Sequence, residues 1–166
     1  MRRWLAASVL AVSAAGLAAA LDLPARKPGL WEITTILGYT QSPPQVMQQC
    51  VDAATDKLLQ EKYSLGEQTC PERHVSRSGG TIVVDSSCRI GDMAMTMHAV
   101  FDGDFDAAYT VKVTMTRGSL TMEGASMRTM TLRAKWLGPC TAYQRPGDVE
   151  MPGVMRMNVL DLSKMW

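Results

Sequence analysis

The stretch TIVVDSSCRIGDMAMTMHAVF, residues 81–101, decides the fold. Ile82, Val84, Cys88 and Ile90 recur on one side with period two, while Thr81, Asp85, Ser87 and Arg89 take the other. Alternation of this kind, bounded by turn residues, is the pattern of a half-buried strand. Gly91-Asp92 supplies a two-residue turn with glycine first, of the II′ type that suits the twist of a hairpin. Folding the chain there sets Cys88 opposite Met95, Ser86 opposite Met97, Val84 opposite Ala99 and Ile82 opposite Phe101, so both apolar faces coincide.

Upstream, Ser78-Gly79-Gly80 is a second turn signal. A hairpin centred on Gly79 brings Cys70 and Cys88 face to face, which predicts a Cys70–Cys88 disulfide and leaves Cys50 to pair with Cys140. The same register puts His74 opposite Val84, as a partly buried structural histidine, and Arg73 opposite Asp85 as a cross-strand ion pair. The cysteines contain no C-x-x-C and match no zinc finger spacing.

Downstream, Gly103-Asp104-Phe105 reads as a three-residue connection into a strand from Ala107 to Thr116. Tyr109, Val111, Val113 and Met115 share the apolar side of that strand, against Thr110, Lys112, Thr114 and Thr116. After an irregular stretch holding Gly118 and Gly124, Met130, Leu132, Ala134 and Trp136 alternate with Thr129, Thr131, Arg133 and Lys135. One helix is expected after Cys50, where Val51, Ala54 and Leu58 recur at helical spacing. The expected fold class is therefore mainly β (α+β): a curved antiparallel meander sheet or partial barrel with one short helix and two disulfides. Its apolar face is covered by the helix and the terminal segments, and its other face meets water. The Pro139, Pro146 and Gly147 region reads as loop, and Val154 to Leu162 as a final strand or a short helix after Asn158.

With 166 residues, 46% hydrophobic, 20% charged and a formal charge of +1, the chain has the composition of one globular domain. Arg2 and Arg3 precede an apolar run from Trp4 to Leu17 and then Ala18-Ala19-Ala20, the pattern of a cleaved secretory signal peptide over residues 1–20. Residues 21–166 are then a single β-rich domain, with a C-terminal extension from about residue 141. Export out of the cytoplasm fits the paired cysteines, since disulfides persist where the surroundings are oxidising. The apolar run is too short to span a bilayer and no similar run follows it, so no transmembrane span is expected after cleavage. Removing Arg2 and Arg3 from 17 Lys and Arg leaves 15 against 16 Asp and Glu, a charge of −1 with no basic stripe. A nucleic-acid partner is excluded on that ground.

Several residues carry a resemblance. Pro28-Gly29-Leu30-Trp31-Glu32 follows the signal peptide, and a Pro, Met and Gln segment leads into Cys50 and the short helix. Cys70 and Cys88 flank the Gly-Gly turn, a Met- and Thr-rich hairpin comes next, and Trp136-x-Gly138-x-Cys140 closes the set. Together they resemble the exported bacterial proteins grouped as domain of unknown function 3617, over about residues 28–140. The resemblance implies a small envelope protein and leaves its activity open. Val51-Asp52 stands where such proteins tend to have Leu-Thr-Pro, and about 26 residues follow Cys140 where many of them stop.

The chemistry-bearing residues point away from catalysis. His74 and His98 lie in no nucleophile, metalloprotease or phosphate-loop motif, and no catalytic residue is assigned. Asp102, Asp104 and Asp106 flank a hairpin loop without the glycine and distal glutamate of an EF-hand, and read as a solvated turn. Met93-Ala94-Met95-Thr96-Met97-His98 holds soft ligands suited to Cu(I), but on a strand the methionines and His98 project to opposite faces. No metal or other cofactor is called for. The inward methionines instead form a pliable lining that can repack around apolar guests. Met93, Met95, Met97, Tyr109, Met115 and Met130 are the expected ligand-binding residues, for a small apolar molecule. The competing expectation is a structural or interaction module whose partner is another envelope protein. The extension discriminates between the two: Met155, Met157, Leu160, Met165 and Trp166 either cover the sheet or offer a docking surface.

Overall fold

The computed structural model describes residues 23–63, 70–91, 93–119, 125–153 and 156–162, so the expected signal peptide lies outside the described residues. In chain order the elements are β1 (Gly29–Leu37), β2 (Gln45–Val51), α1 (Ala53–Tyr63), β3 (Glu72–Ser78), β4 (Thr81–Ile90) and β5 (Met93–Asp104). They continue as β6 (Ala108–Ser119), β7 (Ala125–Gly138), β8 (Asp148–Glu150), β9 (Met157–Asn158) and α2 (Val159–Leu162). All strands join one open, curved antiparallel sheet in the order β3-β4-β5-β6-β7-β1-β2-β8-β9. Strands β3 to β7 form the meander expected from the sequence. The β1–β2 hairpin then docks on β7, and the C-terminal extension adds β8 and β9 to the far side of β2.

The β4–β5 hairpin has the expected register: Cys88 faces Met95, Ser86 faces Met97, Val84 faces Ala99 and Ile82 faces Phe101. Both disulfides, Cys70–Cys88 and Cys50–Cys140, also form as expected. The β3–β4 hairpin differs by one residue. Gly79 takes φ +60°, a conformation that favours glycine, and with Gly80 makes a two-residue turn closed by Ser78 and Thr81. His74 therefore faces Asp85 rather than Val84, and Arg73 faces Ser86 rather than Asp85. Because side chains alternate with period two, this slip moves His74 to the outer face and Arg73 to the inner one. The β5–β6 connection keeps three residues but falls at Phe105, Asp106 and Ala107, two positions later than expected. An even shift preserves the faces, and Tyr109, Val111, Val113 and Met115 still point inward.

Helix α1 begins at a reciprocal cap. The Asp52 carboxylate accepts the Thr55 N–H at 2.8 Å, and the Thr55 hydroxyl accepts the Asp52 N–H at 2.9 Å. The Thr55 N–H, and the Thr55 hydroxyl donating to the same carboxylate at 2.8 Å, hold the Asp52 carboxyl below its ordinary value of 3.8. The buried face of the helix carries Thr55, Asp56 and Leu59, and the expected Ala54 is exposed. Val51 belongs to β2. Between Val154 and Leu162 the chain forms both of the expected elements in succession, the short strand β9 and the single turn α2.

Two apolar clusters occupy the inner face. The first joins Trp31, Ile33, Val51 and Ala134 to Leu59 of α1, Val149 of β8 and Val159 of α2. The second joins Ile82, Val84, Ala99, Val111 and Val113 to Met97, Met115, Met130, Phe101 and Phe105. Leu23, at the start of the described chain, packs on the second cluster. The segment from Leu23 to Pro28 thus crosses the inner face as a strap. Its bonds are Lys27 N–H to the Phe105 carbonyl at 3.0 Å, Trp31 Nε1 to the Lys27 carbonyl at 2.8 Å and Trp136 Nε1 to the Pro28 carbonyl at 3.2 Å.

The disulfides close loops of very different length, with sequence separations of 90 and 18. Loop-closure entropy of the unfolded chain assigns about 4.6 kcal/mol to the long loop and about 3 kcal/mol to the short one. Urea unfolding should therefore show a larger loss for Cys50→Ser/Cys140→Ser than for Cys70→Ser/Cys88→Ser. The reverse order would mean that local packing, not loop length, sets the contribution of each bridge.

Candidate functional site

The six residues expected to line a ligand site all point inward, but the structure divides them. Met97 and Met115 face each other across β5 and β6, Val113 pairs with Met130, and all three methionines pack on the second cluster. Met93 and Met95 continue the row along β5, beyond the buried part of that cluster. Met93, Met95, Met97 and Met115 stay half-buried, unlike Trp31 and Val51 at the other end of the sheet. His98 projects to the opposite face from these methionines, as expected. Ser86 lies between Arg73 and Met97 in the same cross-strand row, and its hydroxyl is buried without a hydrogen-bond partner.

Tyr109 packs against both apolar clusters and adjoins a buried polar cluster that sequence reasoning did not find. Arg26 is buried and donates from Nε to Asp56 Oδ1 at 2.6 Å, from its backbone N–H to Asp56 Oδ2 at 2.9 Å, and from Nη1 to Gln49 Oε1 at 2.9 Å. The Asp56 side chain is only 1% exposed. The Arg26 guanidinium lies 5.8 Å from the Trp31 ring centre, and the Trp31 and Tyr109 ring centres are 5.7 Å apart. Tyr109 also stacks on Phe105 at 4.4 Å. Burial pushes the Tyr109 hydroxyl above its ordinary value of 10.0, with the nearby Arg26 charge opposing the rise. Sequence gave little sign of this cluster, because Arg26 precedes the first strand without periodicity and Asp56 reads as an ordinary first-turn acid.

The outer face holds a trough of about 630 Å³ over β3 to β6. His98 Nδ1 and Asp85 Oδ1 meet there at 2.6 Å with both side chains about half exposed, at 53% and 52%. His74 flanks Asp85 on β3, and Ser87, Thr96, Thr114 and Thr116 supply hydroxyls. Among the described residues, no three histidine, cysteine, aspartate or glutamate side chains group so as to hold a metal ion. At the expected acidic loop, Asp104 accepts the Asp106 N–H at 2.8 Å, the local bond of a turn.

A second hollow, of about 360 Å³, lies in the C-terminal extension. Its charges are matched: Arg145 pairs with Asp148 and Asp161, and Arg156 with Glu150. The extension divides between the two roles weighed for it. Val149 and Val159 are buried in the first cluster, while Tyr143, Met157 and Leu160 are exposed. Met155, Met165 and Trp166 lie outside the described residues.

Of the residues that carry the family resemblance, Gly29 to Trp31, Cys50 and Trp136 to Cys140 gather in one junction, while Cys70, Cys88 and the Gly-Gly turn lie at the β3–β4 end of the sheet. Leu30 pairs with Cys50 on β2 and with Gly138 on β7, and Trp31 pairs with Trp136 after a register shift in β1. Gly29 takes φ +135°, and a Cβ there would come within 2.4 Å of the Gly138 carbonyl oxygen and 2.5 Å of Trp136 Nε1. Only glycine admits that approach. Cys140, just beyond Gly138, bridges back to Cys50. What these positions share is packing of the sheet, not the presentation of reactive groups. Among the described residues no helix is long and apolar enough to cross a membrane.

Breaking a buried ion pair strands the remaining charge, whereas an exposed pair contributes little. Asp56→Ala should therefore cost about 3–5 kcal/mol, and Asp85→Ala less than about 1 kcal/mol, in chemical denaturation. The folded state also keeps the Tyr109 proton to higher pH than the unfolded chain does. Unfolding then releases that proton above pH 10.0, so stability falls as pH rises past that value. Tyr109→Phe should flatten this alkaline limb; an unchanged pH slope would assign it to other groups.

A family model described as Protein of unknown function (DUF3617) matches residues 26–140. No curated protein and no solved structure matches the chain.

Proposed function

We propose a non-catalytic binding role for this chain, which belongs to the DUF3617 family of proteins of unknown function. In this reading residues 1–20 direct export and are removed, and residues 21–166 act in the bacterial envelope as one β-rich unit. The ligand is a small apolar molecule, held on the inner face by Met93, Met95, Met97, Met115 and Met130. Tyr109, which packs against both clusters and contacts Trp31 and Phe105, completes this lining. The observation that carries the reading is that α1, β8 and α2 contribute to the first cluster, while the methionine end of the sheet stays half-buried. Flexible thioethers left partly open repack around variable guests at low strain.

Protein interaction is the second reading, favoured by exposed Tyr143, Met157 and Leu160 on the extension. The distinguishing experiment is native against denatured mass of the protein recovered from the cell envelope, with a metal scan. The binding reading expects an extra non-covalent mass that denaturation removes. A bare mass overturns it in favour of interaction, and stoichiometric copper would assign the methionines to a metal instead.

A further inference from the structure

The inner face is not only rich in methionine; it is also cationic. Register assigns every described side chain of β3 to β7 to a face, and the charges divide unevenly. On the outer face Glu72, Asp85, Asp102 and Asp104 are mixed with Arg89, Lys112, Arg133 and Lys135. Arg73, Arg117 and Arg128 share the inner face with the methionines, and no inward position of these strands holds an aspartate or glutamate among the described residues. One cross-strand row runs Arg73, Ser86, Met97, Met115, Arg128, and the next runs Cys88, Met95, Arg117.

These arginines have little to neutralise them. Arg117 directs Nε at the Met93 sulfur at 3.1 Å, a weak acceptor for a guanidinium. Arg128 stacks on the Tyr39 ring at 4.6 Å. Among the described residues none of the three makes an ion pair. All three are exposed, so they form a rim around half-buried thioethers. Within that rim the Ser86 hydroxyl is buried, the residue being 7% exposed, and among the described residues it has no partner. An unsatisfied buried hydroxyl is costly unless something supplies an acceptor. An anionic oxygen supplies one, and the guanidinium fork matches carboxylate and phosphate oxygens.

We propose that the methionine face binds an anionic amphiphile, with the chain on Met95, Met97 and Met115 and the carboxylate or phosphate head on the arginine rim of Arg73, Arg117 and Arg128. This rests on the binding reading above and adds the chemical class of the ligand. The lack of inward acids excludes a cationic head, and the open rim leaves the head wet, so charge pairing and not burial selects it.

The test is calorimetric titration of the folded protein, disulfides intact, with four twelve-carbon probes below their micellar concentrations: dodecanoate, dodecyl phosphate, dodecanol and dodecyltrimethylammonium. Both anions should bind about tenfold or more tighter than dodecanol, with the cation weakest. Raised salt should narrow the gap. Arg73→Gln/Arg117→Gln/Arg128→Gln should abolish the preference and retain dodecanol binding, because the rim is exposed and the apolar lining is untouched. A preferred dodecanoate over dodecyl phosphate marks an acyl carboxylate, and the reverse a phosphate monoester. Equal binding of dodecanol and the anions, or a preference that survives the triple variant, overturns the anionic head and leaves the apolar ligand standing. Failure of all four probes overturns both.

Discussion

The Arg26–Asp56 pair is the contact through which three parts of the molecule are held in relation. Arg26 belongs to the N-terminal strap, Asp56 to α1 and Gln49 to β2, and one guanidinium engages the two side chains while its own backbone N–H returns to Asp56. Taking such charges out of water costs several kcal/mol each, so the pair does not persist for its Coulomb attraction alone. It persists because the surroundings fill its hydrogen-bonding capacity and wall it with Trp31 and Tyr109. A hydrophobic replacement of the pair would have no direction. The ionic one admits a single geometry for the strap over the sheet, and the strap in turn positions Leu23 on the second cluster.

That geometry explains why Gly29, Trp31, Trp136 and Gly138 recur together in the sequence pattern. The strap enters β1 through Gly29 at a distance from Trp136 and Gly138 that no side chain tolerates. Both indole N–H groups are spent on strap carbonyls, and Lys27 Nζ lies 3.8 Å from the Trp136 ring centre. The Cys50–Cys140 bridge then ties β2 to the end of β7 across β1. This part of the motif therefore joins the strap, β1, β2 and β7.

How much of this was legible in the sequence follows from the range of the interactions involved. The β4–β5 hairpin could be read to the residue because Gly91-Asp92 dictates a two-residue turn and both strands alternate without interruption. The β3–β4 hairpin could not, since two consecutive glycines allow turns centred one residue apart, and that ambiguity decides the face of His74 and of Arg73. The disulfide pairing survived the error because Cys70 lies before the paired part of β3, where the chain can adjust. Nothing local told that β1 inserts between β7 and β2, or that the extension adds strands beyond β2. Such choices are made by long-range burial. The helix face was misjudged for the same reason: a period argument seeks apolar residues, and the inward position here is Asp56.

The one-residue slip also changes what the sheet can do. With Arg73 outward and opposite Asp85, the inner face would be a methionine lining with two arginines, and Asp85 would be shared between Arg73 and His98. In the observed register Asp85 is free to meet His98 on the wet side, and Arg73 joins Arg117 and Arg128 across the row that holds Ser86. The inner face of β3 to β7 then carries guanidinium groups and thioethers with no inward acid among the described residues, while the outer face mixes acids and hydroxyls with Arg89, Lys112, Arg133 and Lys135. A core that only had to be filled would gain nothing from arginines around its open end, because branched aliphatics pack more densely and carry no charge to solvate. The combination of pliable apolar surface, cationic rim and an unsatisfied hydroxyl is better matched to a guest with an apolar body and an anionic end than to the closing of a core.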